Sequence, residues 1–308
     1  KNIAMVIIEI SYIFQNLMID LNEPISVVAN DAGGANQIVS FLRNNINKKT
    51  SIQPFMNGPA KKIWQLNFPE IHLANSIENA ILGTKILISG TGWQTDIEKK
   101  ARKIALNLDI YSISILDNWV NYKDRFIMDG VLNLPDEIWV VDKYALREAK
   151  NTFPLFKNFF QINDYYLDDA VKRIKHLKNT NQILYILEPI RSNWGHGIEQ
   201  GEFQALDYFL DSFHKIKLPL STKIILKPHP SEDSKKYVSW VSSKDSFNIN
   251  ISNLPIEDLI SQSSYIIGCN SLALYISIKA KKNVICSLPP WAGKSTLPVN
   301  NLRYLRDF

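Results

Sequence analysis

A histidine between two prolines, in the run Lys227-Pro228-His229-Pro230, is the most specific pattern in this sequence. Each proline fixes its own φ angle, so the backbone around His229 has little freedom and the imidazole is held in one direction. A protonated imidazole nitrogen can donate a hydrogen bond to a phosphate oxygen. The pattern predicts that His229 and Pro230 belong to a phosphate site, although a lone histidine is usually structural.

Two further segments of the second half carry groups that could bind a nucleotide. Asn270 and Ser271 precede a predicted helix, where side chains and backbone N–H groups can both donate to a phosphate. The alternative for this pair is an ordinary helix N-cap. Glu257 lies near the start of another predicted helix and could accept hydrogen bonds from ribose hydroxyls. Its alternative role is a favourable interaction with the helix dipole.

Carboxylates follow two predicted strands of the first half. Asp117 comes directly after an apolar strand, where burial would raise its pKa towards that of a general base. Asp31 is the alternative base, in the turn that also contains Gly33 and Gly34. A glycine pair there would let the backbone approach a ligand closely. Either aspartate could instead be only a turn or helix-capping residue.

A second glycine-containing turn holds Gly90 and Gly92 after another predicted strand. It could line the same site, or its glycines could serve the turn alone. Neither glycine turn has the G-x-G-x-x-G spacing, so a nicotinamide or flavin fingerprint is absent.

The elements that must position these groups are short apolar runs separated by helix-length segments, a rhythm typical of parallel strands covered on both faces. The fold class is therefore predicted to be α/β, with a doubly wound sheet in each half. Candidate groups at the ends of such strands meet at one edge of a sheet. The predicted strands are 25–29, 51–55, 85–89, 111–116, 137–141 and 158–162 in the first half, and 182–187, 223–227, 248–252, 265–268 and 283–287 in the second.

The length of 308 residues favours two domains. We predict Rossmann-like domains at 1–165 and 180–308, facing each other across a ligand cleft. The charged segment 163–181 would connect them. An apolar stretch at 3–19 contains Glu9 and is too short to span a membrane, so a packed helix is predicted there rather than a signal peptide. Since the sequence begins at Lys1 and not Met, further residues can precede it.

Composition excludes several classes of protein. The net charge is +5, but the lysines and arginines occur in short clusters without the aromatic interleaving of a nucleic-acid site. They are expected to be solvated helix faces; the alternative is contact with an anionic membrane surface or substrate. Cys269 and Cys286 lie in apolar segments, which suits a reducing cytoplasm and implies no disulfide framework. Metal-type Cys/His spacing and a D-x-D motif are both absent.

Together these motifs resemble those of bacterial sialyltransferases and polysialyltransferases and the related Kdo and pseudaminic-acid transferases. His229-Pro230 matches the HP motif of that family, and 255–259 is similar to the segment whose Glu holds the CMP ribose. Asn270-Ser271 resembles its later Ser/Thr pair. The acidic first-domain motif is matched loosely by Asp117-Asn118-Trp119, where Asn replaces the second acid and Trp replaces the glycine.

The resemblance implies a GT-B fold and an inverting glycosyltransferase that needs no metal or cofactor. Its donor would be a CMP-activated sialic, pseudaminic or legionaminic acid or Kdo. Asp117 or Asp31 would be the base, His229 would stabilise the leaving phosphate, and the second domain would bind the donor. The acceptor would be a glycan, lipid-linked glycan or glycoprotein, reached in the cytoplasm or at the inner membrane surface.

The sequence leaves four alternatives open, of which only the fourth is from another functional class. Three are enzymes of similar shape: a UDP-sugar transferase, a UDP-sugar 2-epimerase and a CDP-glycerol-type transferase, which also carries an H-P element. The fourth is a non-catalytic partner that binds a nucleotide sugar. Binding of CMP, UDP and CDP would distinguish the enzymes.

Overall fold

The computed structural model describes residues 21–47, 49–177 and 181–308. The chain forms two compact units, of which the first ends at Tyr166 and the second spans Leu167–Phe308. The helix predicted at 3–19 lies outside the described residues, as do residues 178–180 of the predicted connection. None of the helices in the described ranges is long and apolar enough to cross a membrane.

The first unit is built on a six-stranded parallel sheet. Its strands are β1 Ile25–Ala29, β2 Ile52–Met56, β3 Ile86–Ser89, β4 Tyr111–Leu116, β7 Glu137–Val140 and β8 Phe159–Gln161, in the order β2-β1-β3-β4-β7-β8. Every residue of β1 and of β3 is buried, as expected for strands covered by helices on both faces. The helices are α1 Ala32–Asn45, α2 Gly58–Asn67, α3 Ile77–Ile81, α4 Ile97–Asn107 and α5 Lys143–Thr152, and α6 Tyr165–Arg173 continues into the second unit.

A short antiparallel hairpin in the first unit was not predicted from the sequence. Strands β5 Ile127–Met128 and β6 Val131–Leu132 are joined through Asp129 and Gly130, both with positive φ. An Asp-Gly pair favours this kind of two-residue turn. The strands are too short to give an alternating pattern, which is why the sequence did not indicate them.

The second unit contains a five-stranded parallel sheet in the order β11-β10-β9-β12-β13. Its strands are β9 Gln182–Ile186, β10 Lys223–Lys227, β11 Ile249–Ile251, β12 Tyr265–Gly268 and β13 Asn283–Cys286. Its helices are α7 Gly201–Asp211, α8 Val238–Ser242, α9 Ile256–Gln262 and α10 Leu272–Lys279, with 3-10 turns at Phe213–Ile216, Ser234–Tyr237 and Leu305–Asp307. Together the two sheets confirm the α/β class.

Each sheet has a point where the strand order reverses, between β1 and β3 in the first unit and between β9 and β12 in the second. In doubly wound sheets, ligands bind outside the carboxyl ends of the strands at such a point. The segments just beyond these four strands are therefore where binding groups are expected.

Candidate functional site

His229 follows strand β10 in the second unit and is half-buried. Its Nδ1 accepts a hydrogen bond from the backbone N–H of Ser231 at 3.2 Å and lies 2.7 Å from the Ser231 hydroxyl. Burial lowers the pKa of His229, against the opposing charge of Glu232. A neutral ring that accepts at Nδ1 carries its proton on Nε2, so His229 is set to donate from Nε2. The next residue, Pro230, is exposed.

An ion-pair network holds the loop after β10, and sequence reasoning missed it. Arg191 and Lys236 each pair with both Glu202 and Glu232. Glu202 is buried, and the Tyr237 hydroxyl donates to it at 3.2 Å. Burial acts to raise the pKa of Glu232, but hydrogen bonds from Lys236 and Arg191 outweigh it and lower that pKa. The network ties together the segments after β9 and β10, so it fixes the backbone that carries His229.

Asn270 and Ser271 follow strand β12, as predicted, but the structure already engages their polar groups. Ser271 is the N-cap of α10, and its hydroxyl accepts the N–H of Ala273 at 3.1 Å. The Asn270 side-chain oxygen accepts from the Ser295 hydroxyl at 2.8 Å and from the Thr296 N–H at 2.9 Å. These bonds anchor the loop after β13 beside the start of α10.

Glu188, which sequence reasoning missed, lies beside Asn270 at the switch point of the second sheet. Its Oε1 accepts the backbone N–H of Asn270, one of the groups predicted to bind phosphate. Burial raises the pKa of Glu188 to about 7, although the N–H groups of Asn270 and Cys269 oppose this. The available sequence signal was its place two residues beyond the first strand of the sheet. A titratable carboxyl therefore lies beside the segment that leads into α10.

Glu257 lies in the first turn of α9, as predicted, where its Oε1 pairs with Arg173 Nη2 at 2.5 Å. Arg173 is the last residue of α6. The carboxylate predicted to bind ribose is thus also part of a contact between α6 and α9.

In the first unit, Asp31 is the N-cap of α1, and its Oδ1 accepts the Gly34 N–H at 2.8 Å. Burial, followed by the negative charges of Asp117 and Glu98, raises its pKa to about 7. Asp31 therefore caps the helix and can also act as an acid or a base near neutral pH.

Asp117 follows strand β4 and is buried together with its partner Arg125, whose Nη1 lies 2.9 Å from Asp117 Oδ1. The same guanidinium donates to the Thr91 carbonyl at 3.0 Å. Gly33 packs directly against Asp117, since a Cβ built on Gly33 would lie 1.9 Å from Asp117 Oδ2. The sequence pattern of Arg125 gave no indication of this pairing.

The segment with Gly33 and Gly34 packs closely against the segment with Gly90 and Gly92, beside Asp31 and Asp117. A Cβ built on Gly34 would lie 3.1 Å from the Cα of Gly90, and one on Gly92 would lie 3.4 Å from Asp31 Oδ2. Fully buried Glu98 joins the turns, because its Oε1 accepts the Asn30 N–H at 2.8 Å and faces Gly92. Burial also raises the pKa of Glu98.

The structure thus gathers the predicted first-unit residues at the carboxyl edge of β1, β3 and β4, and adds Glu98 and Arg125. We call this set the acid cluster: Asp31, Glu98, Asp117 and Arg125. A carboxyl that titrates near neutrality beside an ion-paired carboxylate can accept and return a proton. Within the described ranges, no three or more His, Cys, Asp or Glu side chains are grouped to hold a metal ion.

No family model matches the chain, and no curated protein matches it either. Solved structures do resemble it. The UDP-GlcNAc 2-epimerase of Neisseria meningitidis, bound to UDP-GlcNAc, has a TM-score of 0.59 and 13% identity over 85% of this chain and 82% of that one. The corresponding enzyme of Rickettsia bellii has a TM-score of 0.58 and 11% identity, covering 85% of this chain and 78% of its own.

A third similar structure is the Anabaena protein HepE in complex with UDP and glucose. Its TM-score is 0.55, with 7% identity over 85% of this chain and 80% of that chain. At such identities the likeness concerns the fold. The chain therefore has two parallel α/β Rossmann-like sheets in a GT-B-type fold, as in UDP-GlcNAc 2-epimerase.

Proposed function

We propose that the protein is an enzyme of nucleotide-activated sugars, with acid–base groups in its first unit and a nucleotide site in its second. The observation that carries the proposal is the acid cluster, in which Asp31, with a pKa of about 7, lies beside the ion-paired Asp117. The fold supports it, because similar structures contain UDP-GlcNAc, or UDP and glucose. The neutral, backbone-anchored imidazole of His229 suits a phosphate.

A UDP-activated sugar is our first candidate substrate, on the strength of those bound nucleotides. A CMP-activated acidic sugar is the second candidate, favoured by the His229-Pro230 motif. The contact between Glu257 and Arg173 weighs against the second, since it already engages the carboxylate that the motif resemblance assigns to the CMP ribose.

Glycosyl transfer is the proposed reaction. Asp31 removes the proton of an acceptor hydroxyl, whose oxygen forms a bond to the anomeric carbon of the donor. The bond from that carbon to the phosphate oxygen breaks, and its electron pair leaves with the nucleotide. His229 Nε2–H donates to the departing phosphate, and the cap at Ser271 adds helix N–H donors. Asp117 is better suited to raise the pKa of Asp31 through its charge than to act as the base, because Arg125 holds it in an ion pair.

Epimerisation at a sugar carbon is the second candidate reaction, favoured by the epimerases among the similar structures. Asp31 and Glu98 would then supply the two proton-transfer groups. We further propose a cytoplasmic site of action, where the buried thiols of Cys269 and Cys286 would stay reduced.

Thermal unfolding with UDP, CMP and CDP, each alone and as its sugar conjugate, tests the proposal. We expect UDP and UDP-sugars to stabilise the protein, and a UDP-sugar to release UDP on incubation. If CMP stabilises the protein and UDP and CDP do not, the donor is the second candidate, a CMP-activated acidic sugar. If no nucleotide stabilises the protein and none is released, the proposed function is wrong.

A further inference from the structure

A groove of about 730 Å³ opens in the first unit between the end of β2, helix α2 and the loop after α2. Its volume lies in the range of small-molecule sites. Its lining includes the side chains of Phe55, Lys61, Gln65, Phe68, His72 and Asn75.

The walls of this groove are fixed by buried contacts. Trp64 is fully buried and donates from Nε1 to the Ile71 carbonyl at 3.2 Å, which holds the loop onto α2. The Ala74 N–H donates to the Pro54 carbonyl at 2.7 Å, which holds the loop onto β2. Phe68 packs on Trp64 with ring centroids 4.7 Å apart. The groove is therefore preformed, so a ligand would lose little affinity in ordering it.

The chemistry of the lining suits a sugar that carries a negative charge. Half-buried Phe55 and Phe68 offer apolar faces, and the amides of Gln65 and Asn75 can exchange hydrogen bonds with hydroxyls. Lys61 is the lysine of the lining, and none of the described residues that line the groove carries a carboxylate.

Lys61 and His72 can both donate hydrogen bonds to a ligand in the groove. Lys61 and His72 are both exposed. No ion-pair partner of either side chain is found in the part of the chain that the structure describes. An anionic group that reached either side chain would gain charge-assisted hydrogen bonds without displacing an existing salt bridge.

The groove adjoins the acid cluster through two asparagines. Asn57, in the lining, donates from Nδ2 to Asn30 Oδ1 at 2.9 Å, and its backbone N–H donates to the Ala29 carbonyl at 3.1 Å. Asn30 immediately precedes Asp31 in the chain. The lining of the groove therefore contacts the residue next to Asp31.

We infer that this groove binds the acceptor of the reaction, a saccharide with a carboxylate or phosphate group held by Lys61 and His72. One acceptor hydroxyl then faces Asp31. The inference rests on the proposed function and deepens it, since a second sugar site makes transfer rather than epimerisation the reaction.

The test is isothermal titration of the full chain with three disaccharides that share one skeleton: neutral cellobiose, its 6-phosphate, and the analogue with a terminal glucuronate. We expect at least one anionic form to bind about tenfold more tightly than cellobiose, as one or two charge-assisted hydrogen bonds would give. Comparison of the two anionic forms distinguishes phosphate from carboxylate. The double variant Lys61→Ala/His72→Ala should lose this preference and keep the affinity for cellobiose.

Lys62→Ala is the matched control, because Lys62 is the exposed neighbour of Lys61 and does not line the groove. Equal affinity for the neutral and anionic forms, no binding of any form at millimolar concentration, or an unchanged preference in the double variant would overturn the inference. Nucleotide-induced stabilisation, measured on the same proteins, reports on the proposed function separately. If nucleotides stabilise the protein but it does not prefer anionic disaccharides, only the inference that the groove binds the acceptor is wrong.

Discussion

At the scale of single residues, Asp31 combines a helix cap with a titratable group, and the two roles can be separated. Asparagine caps a helix about as well as aspartate does, so Asp31→Asn keeps the bond to Gly34 and removes the charge. We expect turnover to fall by ~10²-fold or more if Asp31 is the base. Asp245→Asn, at an exposed position of the second unit, is the control.

The same variant has a predicted pH signature in stability. The pKa of Asp31 rises from 3.8 in the unfolded chain to about 7 in the folded protein, so the native state holds the proton more tightly. The stabilisation from this proton is complete below about pH 4 and is lost as pH rises through about 7. Asp31→Asn should therefore gain stability relative to wild type between pH 5 and pH 8, in thermal unfolding. If the difference in stability between Asp31→Asn and wild type is the same at pH 5 and at pH 8, the raised pKa of Asp31 is contradicted.

His229 provides a second test at the residue scale. Removal of one hydrogen bond to a charged phosphate should weaken nucleotide binding about tenfold. We predict this loss for His229→Ala in a titration with UDP, with little change in unfolding temperature because the side chain is only half-buried. His214→Ala removes an exposed histidine of the same unit and should leave affinity unchanged. A His229 variant with wild-type affinity would exclude the phosphate role.

At the scale of elements, the turns after β1 and β3 depend on glycine for close approach. In Gly33→Ala the new methyl group would lie 1.9 Å from Asp117 Oδ2, so Asp117 or the start of α1 must move. We expect about 1–3 kcal/mol of destabilisation and a fall in turnover. Gly293→Ala is the matched control, since a Cβ there meets nothing within 4 Å. Chemical unfolding and a turnover assay measure both effects, and a Gly33→Ala variant equal to its control would refute the packing argument.

Glu98 links the same two turns and acts on Asp31 through its charge. Glu98→Gln can keep the hydrogen bond from the Asn30 N–H but removes a negative charge that raises the pKa of Asp31. Activity that requires ionised Asp31 should rise with pH through about 7 in the wild type, and the midpoint should move to lower pH in the variant. Glu78→Gln, at an exposed position of α3, should leave the pH–rate profile in place. A profile unmoved in Glu98→Gln would show that Glu98 has only a structural role.

At the scale of the whole molecule, the proposed division of chemistry, with acid–base groups in the first unit and the nucleotide site in the second, can be measured. A nucleotide that binds the second unit at 100 times its dissociation constant should stabilise it by ~2.7 kcal/mol. In hydrogen exchange with UDP, we expect slower exchange in the segments after β10 and β12. Protection confined to the first unit would contradict the placement of the nucleotide site.

The sequence by itself determined the strands of the two parallel sheets. Every predicted strand is present within one residue at each end. The central strands, such as β1 and β3, are buried on both faces and are therefore read directly as apolar runs. It also placed Asp31, Asp117, His229 and Asn270 just beyond strands, since the order of residues along the chain is enough to locate the end of a strand. The apolar runs of β5 and β6 were too short for such a signal.

Only the tertiary structure decided which groups meet. Glu98 reaches Asn30 across 68 residues of chain, and Glu188 reaches Asn270 across 82. Arg125 neutralises the aspartate that the sequence favoured as base, and burial gives Asp31 its near-neutral pKa. Hydrophobic periodicity records the environment of a residue's own element, whereas a pKa or an ion pair depends on burial and on partners brought together by folding.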